Sequence, residues 1–147
     1  MKKPQHTLDI WFSRIAVLFV FIWNIQCAFV FIFTPERYIS AYELTGVGGI
    51  AAIQGMGVAF LMWNVTYPLV ILAPKKHFLL FKIVLIQQLV GLLGESYILL
   101  TTASTHLPLK SSLLKFILFD AAGFLLMLIG YIWIAKRIKL GYDGGSV

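Results

Sequence analysis

Four apolar stretches, each long enough to cross a bilayer, constrain this chain more than anything else in it. They cover residues 10–33, 47–73, 78–101 and 113–135. A span needs about 20 mostly apolar residues, because a helix rises about 1.5 Å per residue against a hydrocarbon core of roughly 30 Å. In lipid each backbone amide and carbonyl must be paired within the protein, which restricts spanning segments to helices or a closed barrel, and runs of this length select helices. The expected fold is therefore all-α, an integral membrane four-helix bundle forming a single domain over residues 1–147. Only 12% of residues are charged and 60% are hydrophobic, whereas soluble domains carry about a quarter charged residues. The remaining chain is too short for a separate soluble domain. The first run follows Lys2 and Lys3 as a secretory signal would, but it is too long for one and ends in "FIFTPERY" without a small-residue cleavage site. It is read as a retained helix.

Charge fixes the expected orientation. Lys2, Lys3, Arg14, Lys75, Lys76, Lys82, Lys136, Arg137 and Lys139 fall on the side of the N-terminus, the second connection and the C-terminus, while only Arg37, Lys110 and Lys115 fall on the other. By the positive-inside rule both termini are expected in the cytoplasm. The net charge of +6 then answers to anionic lipid headgroups, and no nucleic-acid partner is expected. The glycine-containing tail "RIKLGYDGGSV" is expected to fray.

The first connection, "TPERYISAYELTG", has the grammar of a short interfacial helix between spans 1 and 2. Thr34 suits the N-cap, Pro35 suits the first helical position, and Tyr38 and Tyr42 stand one turn apart as interface anchors. The second span opens with "GVGGIAAIQGMGVAF". Gly46, Gly48 and Ala51 fit a loose dinucleotide pattern, but no strand precedes them, so the match fails its structural test. Ala51, Gly55 and Ala59 recur every four residues, which predicts a seam of small side chains for close helix packing. Pro68 is expected to kink or loosen the same span near its end.

Polar residues inside these apolar runs are the candidate functional groups. On the third span Gln87, Gly91 and Glu95 share one face, with Gln88 at its edge. Rise per residue converts sequence position into depth: Glu95 lies roughly 25 Å along the third helix and Asp120 about 10 Å into the oppositely directed fourth. Asn24, Gln26 and Gln54 fall in the same outer half, so polar side chains from four helices are expected at one level. A carboxylate in lipid is costly and normally faces the bundle interior or a wet cavity. The candidate ligand-binding set is Asn24, Gln26, Gln54, Gln87, Gly91, Glu95 and Asp120, with Glu95 and Asp120 the candidate catalytic acid and base. Interhelical hydrogen bonding that fixes helix register is the structural alternative.

Other chemistry lacks its residues. Cys27, the single cysteine, lies within the first span, which excludes an internal disulfide and predicts packing. His6, His77 and His106 fall at or outside helix ends, so no mid-membrane haem ligand and no metal site are expected. P-loop, nucleophile-elbow and Cys-x-x-Cys patterns are absent.

With four spans, a proline-led connector "FTPERYISAYELTG" and a glycine-rhythmic second helix "GVGGIAAIQGMGVAFLMW", the chain resembles the DoxX-like group of small four-helix bacterial membrane proteins. Some of that group are linked with thiosulfate oxidation feeding quinone and others with redox-stress assemblies; no catalytic residue of the group maps onto a position here. A second resemblance is to the sterol isomerase-type proteins of the EXPERA group, which also hold acids inside a bundle. The expected function is a small accessory or lipophile-binding subunit of the bacterial plasma membrane. Its expected partners are membrane lipids and other membrane subunits or further copies of itself, with no resident cofactor beyond a quinone or lipid. The alternatives are a membrane enzyme, either a quinone-linked oxidoreductase subunit or an isomerase, and a small transporter.

Overall fold

The computed structural model describes residues 5–139, with side chains from Leu8 onward. Lys2, Lys3 and the tail 140–147 lie outside the described residues. Among the described residues there is no strand, and four helices are long and apolar enough to cross a membrane. In chain order these are α1 (Gln5–Phe33), the short α2 (Glu36–Ile39) with a 3-10 turn (Ser40–Tyr42), α3 (Gly46–Asn64), α4 (Tyr67–Leu72), α5 (Phe78–Thr101) and α6 (Leu107–Lys139). Helices α1 and α6 run past the apolar segments that announce them. Hydropathy marks the hydrocarbon slab, whereas helical hydrogen bonding continues into the polar zone beyond it.

Between 17% and 28% of each span's apolar window is buried inside the protein. Most of the apolar surface therefore faces outward, far more than water tolerates in a soluble monomer. This is a multi-pass membrane protein.

The second span, Gly46–Leu72, is broken into α3 and α4 at Val65 and Thr66. Pro68, in the first turn of α4, has no amide to offer the Asn64 carbonyl, so the helical ladder stops there. Asn64 secures the joint with its side chain. Its amide donates to the Phe60 carbonyl at 2.7 Å, and its carbonyl faces the Asn24 side-chain amide of α1 at 3.4 Å.

The helices pack as an arc. α3 lies on α1, α1 on α6 and α6 on α5, while α4 wedges between α1 and α5. That wedge closes the arc at the basal end, where α1 begins and α6 finishes. Toward the distal end, which carries α2 and residues 102–106, α3 and α5 scarcely meet, and the arc stays open between them. The basal core is fully buried around Val17, Val20, Tyr67, Val70, Phe81 and Met127. Polar ties hold its rim: Arg137 to Asp9 at 2.8 Å, and an Arg14 Nη2–H donated to the Leu72 carbonyl at 2.6 Å. The distal end is organised on Phe31, which contacts Tyr38, Phe60 and Phe116 with ring centroids 4.7, 5.9 and 6.1 Å away.

Two local expectations are corrected. Pro35, not Thr34, occupies the N-cap of α2, and it makes no side-chain cap bond. The Thr34 hydroxyl instead donates backward at 3.0 Å to the Val30 carbonyl, which also accepts the Thr34 backbone N–H at 2.9 Å, the local back-bonding that Thr side chains favour at helix ends. The small-residue seam is also misplaced. Ala51, Gly55 and Ala59 are exposed, and nothing lies within 4 Å of where a Gly55 side chain would begin. The buried stripe is Gly49, Ile53 and Gly57. A Cβ on Gly57 would lie 2.8 Å from the Ala28 carbonyl oxygen of α1, so this glycine is what lets α3 and α1 approach.

Candidate functional site

The opening between α3 and α5 leads into a cavity of about 290 Å³. Helix α3 supplies Met56, Ala59, Phe60 and Trp63, helix α5 supplies Gly91, Gly94 and Glu95 among others, and α6 supplies Asp120. Ala59, Val90, Gly94 and Ile98 at its margin are exposed. The walls are apolar and the polar groups are few, the usual make-up of a small-molecule site, and the volume is near the lower end for such sites.

Asp120 is held from behind. The Gln88 side-chain amide donates to Asp120 Oδ1 at 2.8 Å, while Gln88 Oε1 faces the buried Tyr67 hydroxyl at 3.4 Å. Tyr67, Gln88 and Asp120 thus form a polar chain from the buried core to the cavity floor, joining α4, α5 and α6. Gln88 and Tyr67 are almost completely buried, and a buried polar group left without a partner costs about 1–3 kcal/mol. The chain is therefore a rigid support for the carboxylate. On its cavity side Asp120 lies over Gly91: a Cβ there would sit 2.9 Å from Oδ2 and 3.5 Å from the Trp63 ring. Glycine at 91 leaves room for the acid.

Glu95 stands one turn farther along α5, toward the distal end. Its Oε2 is buried and, among the described residues, has no hydrogen-bond partner. The two acids thus share one cavity, one braced and one with an unmatched oxygen. Among the described residues no Lys, Arg or His lines that cavity. At the distal end, burial pushes the Tyr42 phenol above its ordinary pKa, helped by the charges of Glu95, Cys27 and Tyr38.

Of the residues expected to form the site, Gly91, Glu95 and Asp120 meet in the cavity. The others lie elsewhere. Asn24 pairs with Asn64 at the α3–α4 joint. Gln54 is exposed and donates to the Ile32 carbonyl at 3.1 Å. Gln26 lines a different pocket, between α1 and α6. Gln87 does not line the cavity; its Oε1 is buried without a partner among the described residues. The candidate set from sequence omitted Tyr67 and Trp63, and also Gln88, which was placed only at the edge of the polar stripe. Gln88 differs from Gln87 by a 100° turn, so only the position of α6 decides which of the two reaches Asp120. His77 and His106 keep away from the cavity: His106 pairs with Glu43 at 2.5 Å, clasping two distal connections, and His77 precedes α5. Among the described residues no group of three or more His, Cys, Asp or Glu could hold a metal ion.

Comparison with protein-family models, with curated proteins and with solved structures finds no match for this chain.

Proposed function

We propose that this chain is a small accessory or lipophile-binding membrane subunit that takes an amphipathic molecule sideways from the bilayer into the opening between α3 and α5. One observation carries the reading: a ligand-sized apolar cavity contains two carboxylates, opens between two spans, and has a braced polar floor. A lipid-like head with hydrogen-bond donors would meet Asp120 and Glu95, while its tail remained in the acyl chains. Quinols and hydroxylated lipids have this chemistry. We further assign the protein to the bacterial plasma membrane, with both termini cytoplasmic, with α2 and its 3-10 turn lying at the outer interface, and with a DoxX-like affiliation. The bias of Lys and Arg toward the basal side supports the orientation.

The test is direct. The full chain is extracted in a lipid-retaining polymer, and its bound small molecules are compared with those of bulk membrane by mass spectrometry. One amphipathic species should be enriched severalfold in the wild type and lost in Gly94→Phe, which fills the opening. A bound fraction identical to bulk membrane would overturn the proposal.

Two acids in one cavity also support a second reading, an enzyme in which Glu95 and Asp120 act as acid and base, as an isomerase or a quinone-linked oxidoreductase subunit requires. Turnover of the captured molecule separates the two. Under the enzymatic reading Glu95→Gln abolishes turnover while retaining the ligand; under the binding reading it weakens only retention.

A further inference from the structure

A second cavity, of about 490 Å³, lies on the opposite side of the bundle from the α3–α5 opening. It sits in the groove between α1 and α6 and is roofed by α2. Arg37 and Tyr38 descend from α2, Gln26 faces it from α1, and Lys115 and Phe116 face it from α6. The Ser112 hydroxyl braces the roof by donating to the Ala41 carbonyl at 3.2 Å. Among the described residues no acidic side chain lines the pocket. Neither Arg37 nor Lys115 makes an ion pair among the described residues, and Glu43, in the same connection as Arg37, is engaged by His106.

The groove continues below the charged rim. Seven residues, or about 10 Å of helix rise, separate Gln26 from Phe19 on α1. Over that depth Trp23 stacks on Phe119 of α6 with centroids 5.0 Å apart, and Phe19 follows at 6.2 Å. Trp23 and Phe19 remain 46% and 50% exposed, so the shelf is open along its length. Two cations and an amide at the top, with an aromatic shelf beneath, match a molecule whose phosphate lies at the membrane surface and whose chain descends from it. A guanidinium also suits phosphate through paired N–H donors.

We propose that this groove binds an anionic phospholipid, with the phosphate between Arg37 and Lys115 and one acyl chain along Trp23, Phe119 and Phe19. The site shares no lining residue with the α3–α5 cavity, and the proposal does not rest on what that cavity holds.

Native mass spectrometry of the full chain in detergent tests it, with dioleoylphosphatidylglycerol and dioleoylphosphatidylcholine added at equal concentration. Two basic side chains at the usual strength of headgroup attraction predict about a thirtyfold preference for phosphatidylglycerol. Arg37→Gln with Lys115→Gln should reduce that preference to near unity at unchanged helicity, whereas Arg37→Lys with Lys115→Arg should retain most of it. Single Lys115→Gln, at an exposed position, should lose about fivefold even if the double variant fails to fold. Equal binding of the two lipids by the wild type, or an undiminished preference in folded Lys115→Gln, overturns the proposal. So does full displacement of phosphatidylglycerol by an equal concentration of inorganic phosphate, which would make the pocket a free-anion site.

Discussion

At the scale of single residues, Gly91 and Gln88 decide what Asp120 can do. Gly91→Ala places a methyl group against the carboxylate, which must swing, but the neighbour is the free end of a side chain. Replacing glycine in a helix also stabilises by roughly 0.5–1 kcal/mol. The expected result is an unchanged or slightly raised melting temperature together with a severalfold loss of retained lipophile, checked by thermal denaturation and mass spectrometry on the same sample. Gln88→Leu acts in the opposite sense. It strips the partner from Asp120 and Tyr67 together, and a loss of about 1–3 kcal/mol per stranded group should appear as a marked fall in melting temperature. The Tyr42 phenol gives a pH dependence. Its folded pKa is raised, so its contribution is complete below the unfolded value of about 10 and declines as pH rises through the folded one. Melting temperatures measured from about pH 10 upward should decline less steeply for Tyr42→Phe than for the wild type. Identical slopes would reject the assignment. Glu95 and Asp120 were legible because depth follows from counting residues in antiparallel helices. Gln88 was not, because adjacent positions differ only in the direction they face, and the facing helix settles that.

At the scale of elements, α3 is the informative helix. Two of its small-residue registers lie two residues apart, about 200° around the axis, hence on nearly opposite faces. The regular one, Ala51, Gly55 and Ala59, attracts the eye but faces outward. The packing one is interrupted by Ile53, so the small-xxx-small signal is masked in the sequence by the residue that fills the gap between helices. Gly57→Ala should destabilise by about 1–3 kcal/mol through overpacking against the α1 backbone, whereas Gly55→Ala should be neutral or mildly stabilising. Paired melting temperatures check this, and the reverse order would mean that α3 is rotated about its axis. Break and proline, by contrast, were readable together, since Pro68 lacks an amide in any packing arrangement.

At the scale of the molecule, the number of spans follows from hydropathy alone, because lipid leaves the backbone few choices, whereas their helical lengths do not, since α1 and α6 extend beyond the apolar runs. The arc does not follow from it either. Nothing in a list of apolar runs tells that α3 keeps to α1 and α4 reaches α5, leaving the distal gap. That gap gives the last prediction. Gly94 has open space where a side chain would begin, so Gly94→Phe should fold normally, retain its melting temperature within about 1 kcal/mol of equivalent stability, and exclude the lipophile. Retention of the ligand by folded Gly94→Phe would mean that entry occurs elsewhere.

The small share of each span that faces inward has a practical corollary. Where roughly four-fifths of the second span's apolar window is not buried inside the protein, the surrounding amphiphile completes the contact surface. Denaturation temperatures, apparent affinities and even subunit number then belong jointly to the polypeptide and its host medium. Variants of this protein are commensurable only when the detergent or lipid mixture is held fixed.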